Sequence, residues 1–175
     1  DDLVAASMLA RLLLGANRVG EVVSLLEPWF RDGRANPEIL MLYGHALMAL
    51  GQSAQAEQVF RRWLELKPHD GDARLRLAAV LADTERYDEA AREARAGIAK
   101  LGKTPEAAFV LARTFLGRSR FDEAEAELRQ LVRAWPGHVL AQANLAELLW
   151  MRSGDADVAC AELDAALRRQ PQLQA

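Results

Sequence analysis

Apolar residues recur along the chain at steps of three and four, the spacing of one face of an α-helix. Leu40, Tyr43, Leu47 and Leu50 set one such stripe, and Leu77 with Leu81 and Leu111 with Phe115 continue it further on. A second stripe follows each after a short polar break, as in Ala56, Val59, Phe60, Trp63 and Leu64. The breaks are Gly51-Gln52-Ser53, Asp83-Thr84-Glu85, Gly117-Arg118-Ser119 and Ser153-Gly154-Asp155, built from turn and capping residues. Pro68, Pro136 and Pro171 each end a second helix, since proline lacks the amide donor and its ring clashes with the preceding turn. No stretch alternates strictly enough for a half-buried strand. The pattern predicts antiparallel helix pairs of about three to four turns per helix.

The pairs repeat. Leu9-Ala10, Tyr43-Gly44, Leu77-Ala78, Leu111-Ala112 and Leu145-Ala146 follow one another every 34 residues. Arg86-Tyr87-Asp88-Glu89-Ala90 returns as Arg120-Phe121-Asp122-Glu123-Ala124 after the same interval. Pro37-Glu38 and Pro105-Glu106 stand two periods apart, as do Pro68 and Pro136. Independent markers agreeing on one period identify a repeat architecture. Small residues hold the middle of the first helices (Ala10, Gly44, Ala78, Ala112, Ala146) and the early second helices (Ala56, Ala90, Ala124). They let the helices of a pair approach closely, so leucine at Gly44 or Ala90 would overpack the crossing by roughly 1–3 kcal/mol.

These residues resemble the tetratricopeptide repeat, a 34-residue helix–turn–helix with a Leu-Gly/Ala pair, a small residue early in the second helix, an aromatic or leucine after it, and a closing proline. Five units, at 3–36, 37–70, 71–104, 105–138 and 139–173, cover nearly the whole chain as one array. Unit 37–70 matches through Tyr43-Gly44, Ala56, Phe60 and Pro68, and 105–138 through Leu111-Ala112, Phe121, Ala124 and Pro136. The third lacks the proline and ends Leu101-Gly102-Lys103. The first has Val22 in the small column and Pro28 inside its second helix, and the fifth needs one extra residue near Met151-Arg152-Ser153. The resemblance implies an all-α, right-handed superhelical solenoid of antiparallel helix pairs. It also implies a concave groove, lined by first helices, that holds a peptide or partner segment.

Carried over column by column, the groove residues are Ser7, Arg11 and Leu14; Met41, His45 and Met48; Leu75, Ala79 and Ala82; Phe109, Arg113 and Leu116; Ala143, Glu147 and Trp150. Such a surface is largely apolar, with two methionines as adaptable contacts and Arg11, Arg113 and Glu147 as orientation marks. It suits an amphipathic helix or hydrophobic segment better than an acidic tail. Two specialised forms of the family are disfavoured. The chaperone-tail carboxylate clamp would need lysines and asparagines where Ser7, Leu42, Leu75 and Ala79 stand, with Arg11 its one cation. The sugar-transferase asparagine ladder reads here as Met8, Leu42, Arg76, Val110 and Asn144.

Candidate chemistry is sparse. His69 and His138 follow prolines in the turns, where a ring is simply solvated, and neither has a partner at metal-ligand spacing. His45 faces the groove as an ordinary contact residue, and Cys160 is read as a small packed residue, not a reactive thiol. Asp122, Glu123, Glu125 and Glu127 form a solvated outer face at a helix start. Trp29 and Trp63, one period apart, are expected to wedge between one unit and the next, the alternative being that they protrude from the convex side as a second contact surface. No catalytic constellation, cofactor site or metal site is expected.

Composition narrows the partners. With 51% hydrophobic and 27% charged residues the chain is not of the disordered class, and a single cysteine makes no internal disulfide. The formal charge of −3 divides over the five units as −1, −1, +1, 0 and −2, so no basic face for nucleic acid arises. No apolar run spans a bilayer. A protein or peptide partner is the expectation, without nucleic acid and without membrane insertion. The rival reading is a non-catalytic regulatory or substrate-positioning arm of a larger enzyme, such as a transferase or oxygenase. The start at Asp1-Asp2, without methionine or leader, suggests an excised piece, and a cytoplasmic location is favoured over a periplasmic one. Val158, Leu163 and Leu167 on the last helix need cover, either from further repeats or from a second copy in a homodimer through a terminal repeat.

Overall fold

The computed structural model describes residues 2–168, in which all regular structure is helical. The helices are α1 (Asp2–Gly15), α2 (Val19–Arg31), α3 (Pro37–Ala49), α4 (Ser53–Leu66), α5 (Gly71–Asp83), α6 (Tyr87–Leu101), α7 (Pro105–Gly117), α8 (Phe121–Ala134), α9 (Val139–Ser153) and α10 (Ala156–Arg168). The fold is an all-α solenoid of antiparallel helix pairs. It divides into two compact units, Asp1–Leu101 with α1–α6 and Gly102–Ala175 with α7–α10. Pro171 and the side chains of Leu163 and Leu167 lie outside what is described.

The same local chemistry sets each boundary. First helices α3, α5, α7 and α9 begin after Asn36, Asp70, Thr104 and His138, spaced by 34, and each of these side chains accepts the backbone N–H three residues on. Such a cap satisfies one of the orphan donors of a helix start and contributes about 1 kcal/mol. First helices end in a recurring Schellman turn, in which the N–H groups of Arg18, Gln52, Arg86 and Arg120 donate to the carbonyls of Leu13, Leu47, Leu81 and Phe115 at 2.8–2.9 Å. The preceding residue takes the left-handed conformation, at Asn17 (φ 57°), Gly51 (φ 70°), Glu85 (φ 61°) and Ser119 (φ 56°). Only Gly51 adopts it without strain, because a Cβ there crowds the following carbonyl at a cost of roughly 1–2 kcal/mol.

This spacing yields a prediction. Ser119→Gly, and likewise Glu85→Gly, is expected to stabilise the chain by about 1 kcal/mol. Urea unfolding should show a higher midpoint with an unchanged slope. A lower midpoint for Ser119→Gly would mean that its turn is not the strained one described.

Second helices begin at Val19, Ser53, Tyr87 and Phe121, in steps of 34, and then at Ala156, a step of 35. The additional residue lies in α9, which has 15 residues against 13 in α3, α5 and α7, and which ends on Gly154 at φ 67°. α2 runs past Pro28 to Arg31. Within the first unit, Leu26, Ile39, Leu40, Leu47, Phe60, Leu77 and Leu81 are fully or almost fully buried. The second unit centres on Leu128, Leu131, Leu145 and Leu148. Ala10, Ala56, Ala78, Ala90, Ala112 and Ala124 have no exposed surface. α5 and α6 meet most intimately: a Cβ on Gly97 would stand 2.7 Å from the Leu75 side chain, and one on Gly71 would stand 2.5 Å from Leu101.

Several side chains sharpen the sequence expectation or depart from it. Asp70 uses one carboxylate oxygen to cap α5 and the other to accept from the Trp63 indole at 3.2 Å, so Trp63 is buried and tied to the next pair. Trp29 remains half-buried, with the Arg34 guanidinium 4.7 Å above its ring. The acidic run on α8 is not uniformly solvated. Asp122 is exposed, but Glu125 is largely covered and pairs with Arg129 and with Arg152 at 2.6 Å, while Glu127 pairs with Lys103 at 2.6 Å. Cys160 is exposed, not packed; its neighbour Ala159 takes the buried position, one residue away in register. Glu57 pairs with both Arg61 and Arg86. Burial pushes its carboxyl upward, yet the hydrogen bonds from the two arginines prevail and hold it below the usual carboxylate range.

Candidate functional site

The residues expected from the sequence to face a partner lie on first helices, and their exposure differs between the two units. In the first unit Arg11 of α1 reaches Glu38 at the start of α3 at 2.7 Å, fastening consecutive first helices to each other. Ser7 is buried and its hydroxyl donates to the Val4 carbonyl at 3.0 Å, so it offers no contact to a partner. Leu75 is buried against Gly97, and Ala82 is buried too. Met41, His45, Met48, Leu14 and Ala79 are half-buried, the methionines and Leu14 packing down onto the core. The face is thus narrower than the column pattern implies, because α5 turns its large residue toward α6 at the Gly97 gap.

His45 belongs to this face as a neutral ring. Burial, aided by the positive charge of Arg76, lowers its pKa from 6.5 to about 4. At neutral pH it can donate and accept one hydrogen bond each, and it adds no cation.

In the second unit the face is open. On α9, Leu140, Ala143, Glu147 and Trp150 follow at steps of three and four and all are exposed, Leu140 by 62% and Trp150 by 53%. On α7, Phe109, Arg113 and Leu116 are half-buried, with Phe109 and Leu116 resting on the core. The Phe109 ring lies 4.8 Å from that of His138. His138 is more than a solvated turn residue: its Nδ1 accepts the Ala141 N–H at 3.2 Å and so caps α9.

Leu140 is not among the residues expected from the sequence, although its column carries a signal. That column reads Val4, Glu38, Asp72 and Glu106 in the other units, acidic in the three middle ones, where a carboxylate in the first turn complements the helix dipole. α9 has no acidic residue in its first turn and exposes a leucine there.

Among the described residues no group of three or more His, Cys, Asp or Glu side chains is placed to hold a metal ion. No described helix is long and apolar enough to cross a membrane.

Two stretches, residues 37–80 and 109–173, each match the tetratricopeptide repeat, and together they take in more than half of the chain. The chain belongs to the tetratricopeptide-repeat family. Similar solved structures carry the same fold. MamA 41-end from Desulfovibrio magneticus RS-1 superposes with a TM-score of 0.78 at 23% identity, covering 98% of each chain. A tetratricopeptide repeat protein from Parabacteroides merdae ATCC 43184 gives 0.80 at 16% identity, over 95% of this chain and 64% of that one. YrrB, a tetratricopeptide protein with an unusual peptide-binding site, gives 0.66 at 19% identity, over 95% and 86%. At these identities the likeness shows the fold alone. An uncharacterized protein of Aquifex aeolicus (strain VF5) is 35% identical over 81 residues, or 45% of this chain. This tetratricopeptide chain matches only 10% of the length of that relative.

Proposed function

We propose that the chain is a protein-interaction scaffold that takes an amphipathic helix of a partner on the first-helix face of its second unit, α7 and α9. The family is a scaffold for protein contacts, and the finer reading rests on the exposed Trp150–Leu140 stripe of α9. An exposed tryptophan and an exposed leucine on one face of α9, with Glu147 between them, have the make-up of an interface anchor with a charged neighbour. Arg113 and Glu147, on neighbouring first helices, would fix the direction of the bound helix. On the first unit's own face, Met41 and Met48 would supply adaptable contact. The neutral state of His45 and the ion pair of Arg11 remove two of the cations that recognition of an acidic tail would use.

The partner need not be identified for a test. Random peptides displayed on phage and selected on the immobilised chain are expected to converge on apolar residues at i, i+3, i+4 and i+7. Convergence on acidic or proline-rich peptides instead would set this reading aside.

The second reading, a non-catalytic arm of a larger enzyme, draws on one observation. The matched stretch is a tenth of the relative from Aquifex aeolicus, so repeats of this kind also occur inside far longer chains.

A further inference from the structure

The turn between α8 and α9 holds a group that the matching turns lack. The caps of α3, α5 and α7 are Asn36, Asp70 and Thr104. Amide and hydroxyl oxygens accept a backbone N–H at any ordinary pH, and so does an ionised carboxylate. In the same column α9 has His138, whose Nδ1 accepts the Ala141 N–H at 3.2 Å. Imidazole is the side chain that ordinarily gains or loses its charge between pH 5 and 8. A backbone N–H only donates, so the ring nitrogen that meets it needs its lone pair. Imidazolium, protonated on both nitrogens, has none to offer. A proton on His138 therefore removes this cap and sets a positive ring at the positive end of the α9 dipole.

The position of the ring gives the cap its consequence. His138 is half-buried, with its ring 4.8 Å from that of Phe109 on α7 and tilted by 45° to it. On α9 the exposed Leu140 and Ala143 follow within the next turn and a half. One side chain thus meets both first helices of the proposed partner face. The charged groups on the elements around it are Glu106 and Arg113, about a turn either side of Phe109 on α7, Arg133 at the end of α8, and Glu147 further along α9. Carboxylates and guanidinium groups ordinarily hold their charge across the range in which imidazole titrates. His138 is the one histidine between Gly102 and Ala175.

We propose that His138 makes partner capture at the α7–α9 face sensitive to mild acid. Neutral, it holds Phe109 and the first turn of α9 in place; protonated, it lets them part, and the bound helix leaves. His138 is then a positioning residue, acting through Phe109 and Leu140. The regulation rests on capture of an amphipathic helix at that face.

The probe is a phage-selected peptide without histidine or carboxylate side chains, its affinity read by fluorescence anisotropy at about pH 7.5 and about pH 5.5. The unaltered chain is expected to bind about fivefold more weakly in acid, which is what one helix cap is worth in an equilibrium constant. His138→Asn keeps an oxygen at the cap, as Asn36 does, but gives up the ring beside Phe109. It should bind more weakly than the parent at about pH 7.5 and lose no more than about twofold on acidification. His138→Ser is the second choice, and circular dichroism at both pH values checks the helices. His69→Asn, in the first unit, should keep the full response; His45, lowered to about 4 by burial, stays outside this range. Equal affinity of the unaltered chain at both pH values overturns the proposal and leaves the binding face standing. So does a fall that His138→Asn retains, that His69→Asn abolishes, or that follows a loss of helix in parent and variant alike. Trp150→Ala binding as tightly as the parent at about pH 7.5 would instead remove the face, and the regulation with it.

Discussion

Gly44→Ala is expected to lower the stability of the chain, although alanine is the better helix former. In an exposed helix the exchange gains about 1 kcal/mol. Here the new Cβ would stand 2.3 Å from Cε1 and 2.5 Å from Cζ of Phe60, whose ring is fully buried and has no room to withdraw. Overpacking of this kind costs roughly 1–3 kcal/mol and outweighs the propensity gain, more so for Gly44→Leu. A net loss of about 1–2 kcal/mol moves the melting temperature by some 2–4 °C per kcal/mol at this chain length. Gly20, in α2 with nothing within 4 Å of its ideal Cβ, provides the internal control, since alanine there should not destabilise. Phe60→Leu in the Gly44→Ala background should recover part of the loss, a coupling that a double-mutant cycle reads directly. Gly44→Ala melting above the parent chain would contradict the close crossing of α3 and α4.

Trp150→Ala carries the largest expected effect on binding. An exposed indole at the centre of an interface commonly contributes 2 kcal/mol or more, so affinity for a selected amphipathic peptide should fall about thirtyfold. Stability should change by no more than about 0.5 kcal/mol, because 53% of the residue is already in water. Phe109→Ala should also weaken binding but is a less clean probe, since Phe109 packs on His138, which caps α9. Met41→Ala should lose least, its side chain being half-buried against the core of the first unit. Titrations of the three variants with one peptide rank them; equal affinities throughout would remove the first-helix surface as the binding face.

The helices and their phase were legible because each pair repeats the same physics: apolar stripes at helical spacing, small residues at the crossing, and turn residues between. The side chains that make a site were less so. Columns predict which way a Cβ points, but not how far a neighbouring helix has moved in. Gly97 lets α6 close on α5, and Leu75 is buried against it as a result. Ser7 turns back onto its own helix, and Cys160 sits one residue out of the buried register at Ala159. His138 could have been found, since it falls in the column of Asn36, Asp70 and Thr104, but histidine is an unusual cap and reads first as a solvated ring. The strained turns at Glu85 and Ser119 carry no sequence signal apart from their alignment with Gly51.

Amide hydrogen exchange of the chain with and without a selected peptide tests the central claim most directly. Binding on the first-helix face of the second unit predicts slower exchange in α7 and α9, strongest around Phe109 and Trp150, with none concentrated in α2, α4, α6 or α8. Protection centred on those second helices, with α7 and α9 unchanged, would contradict it.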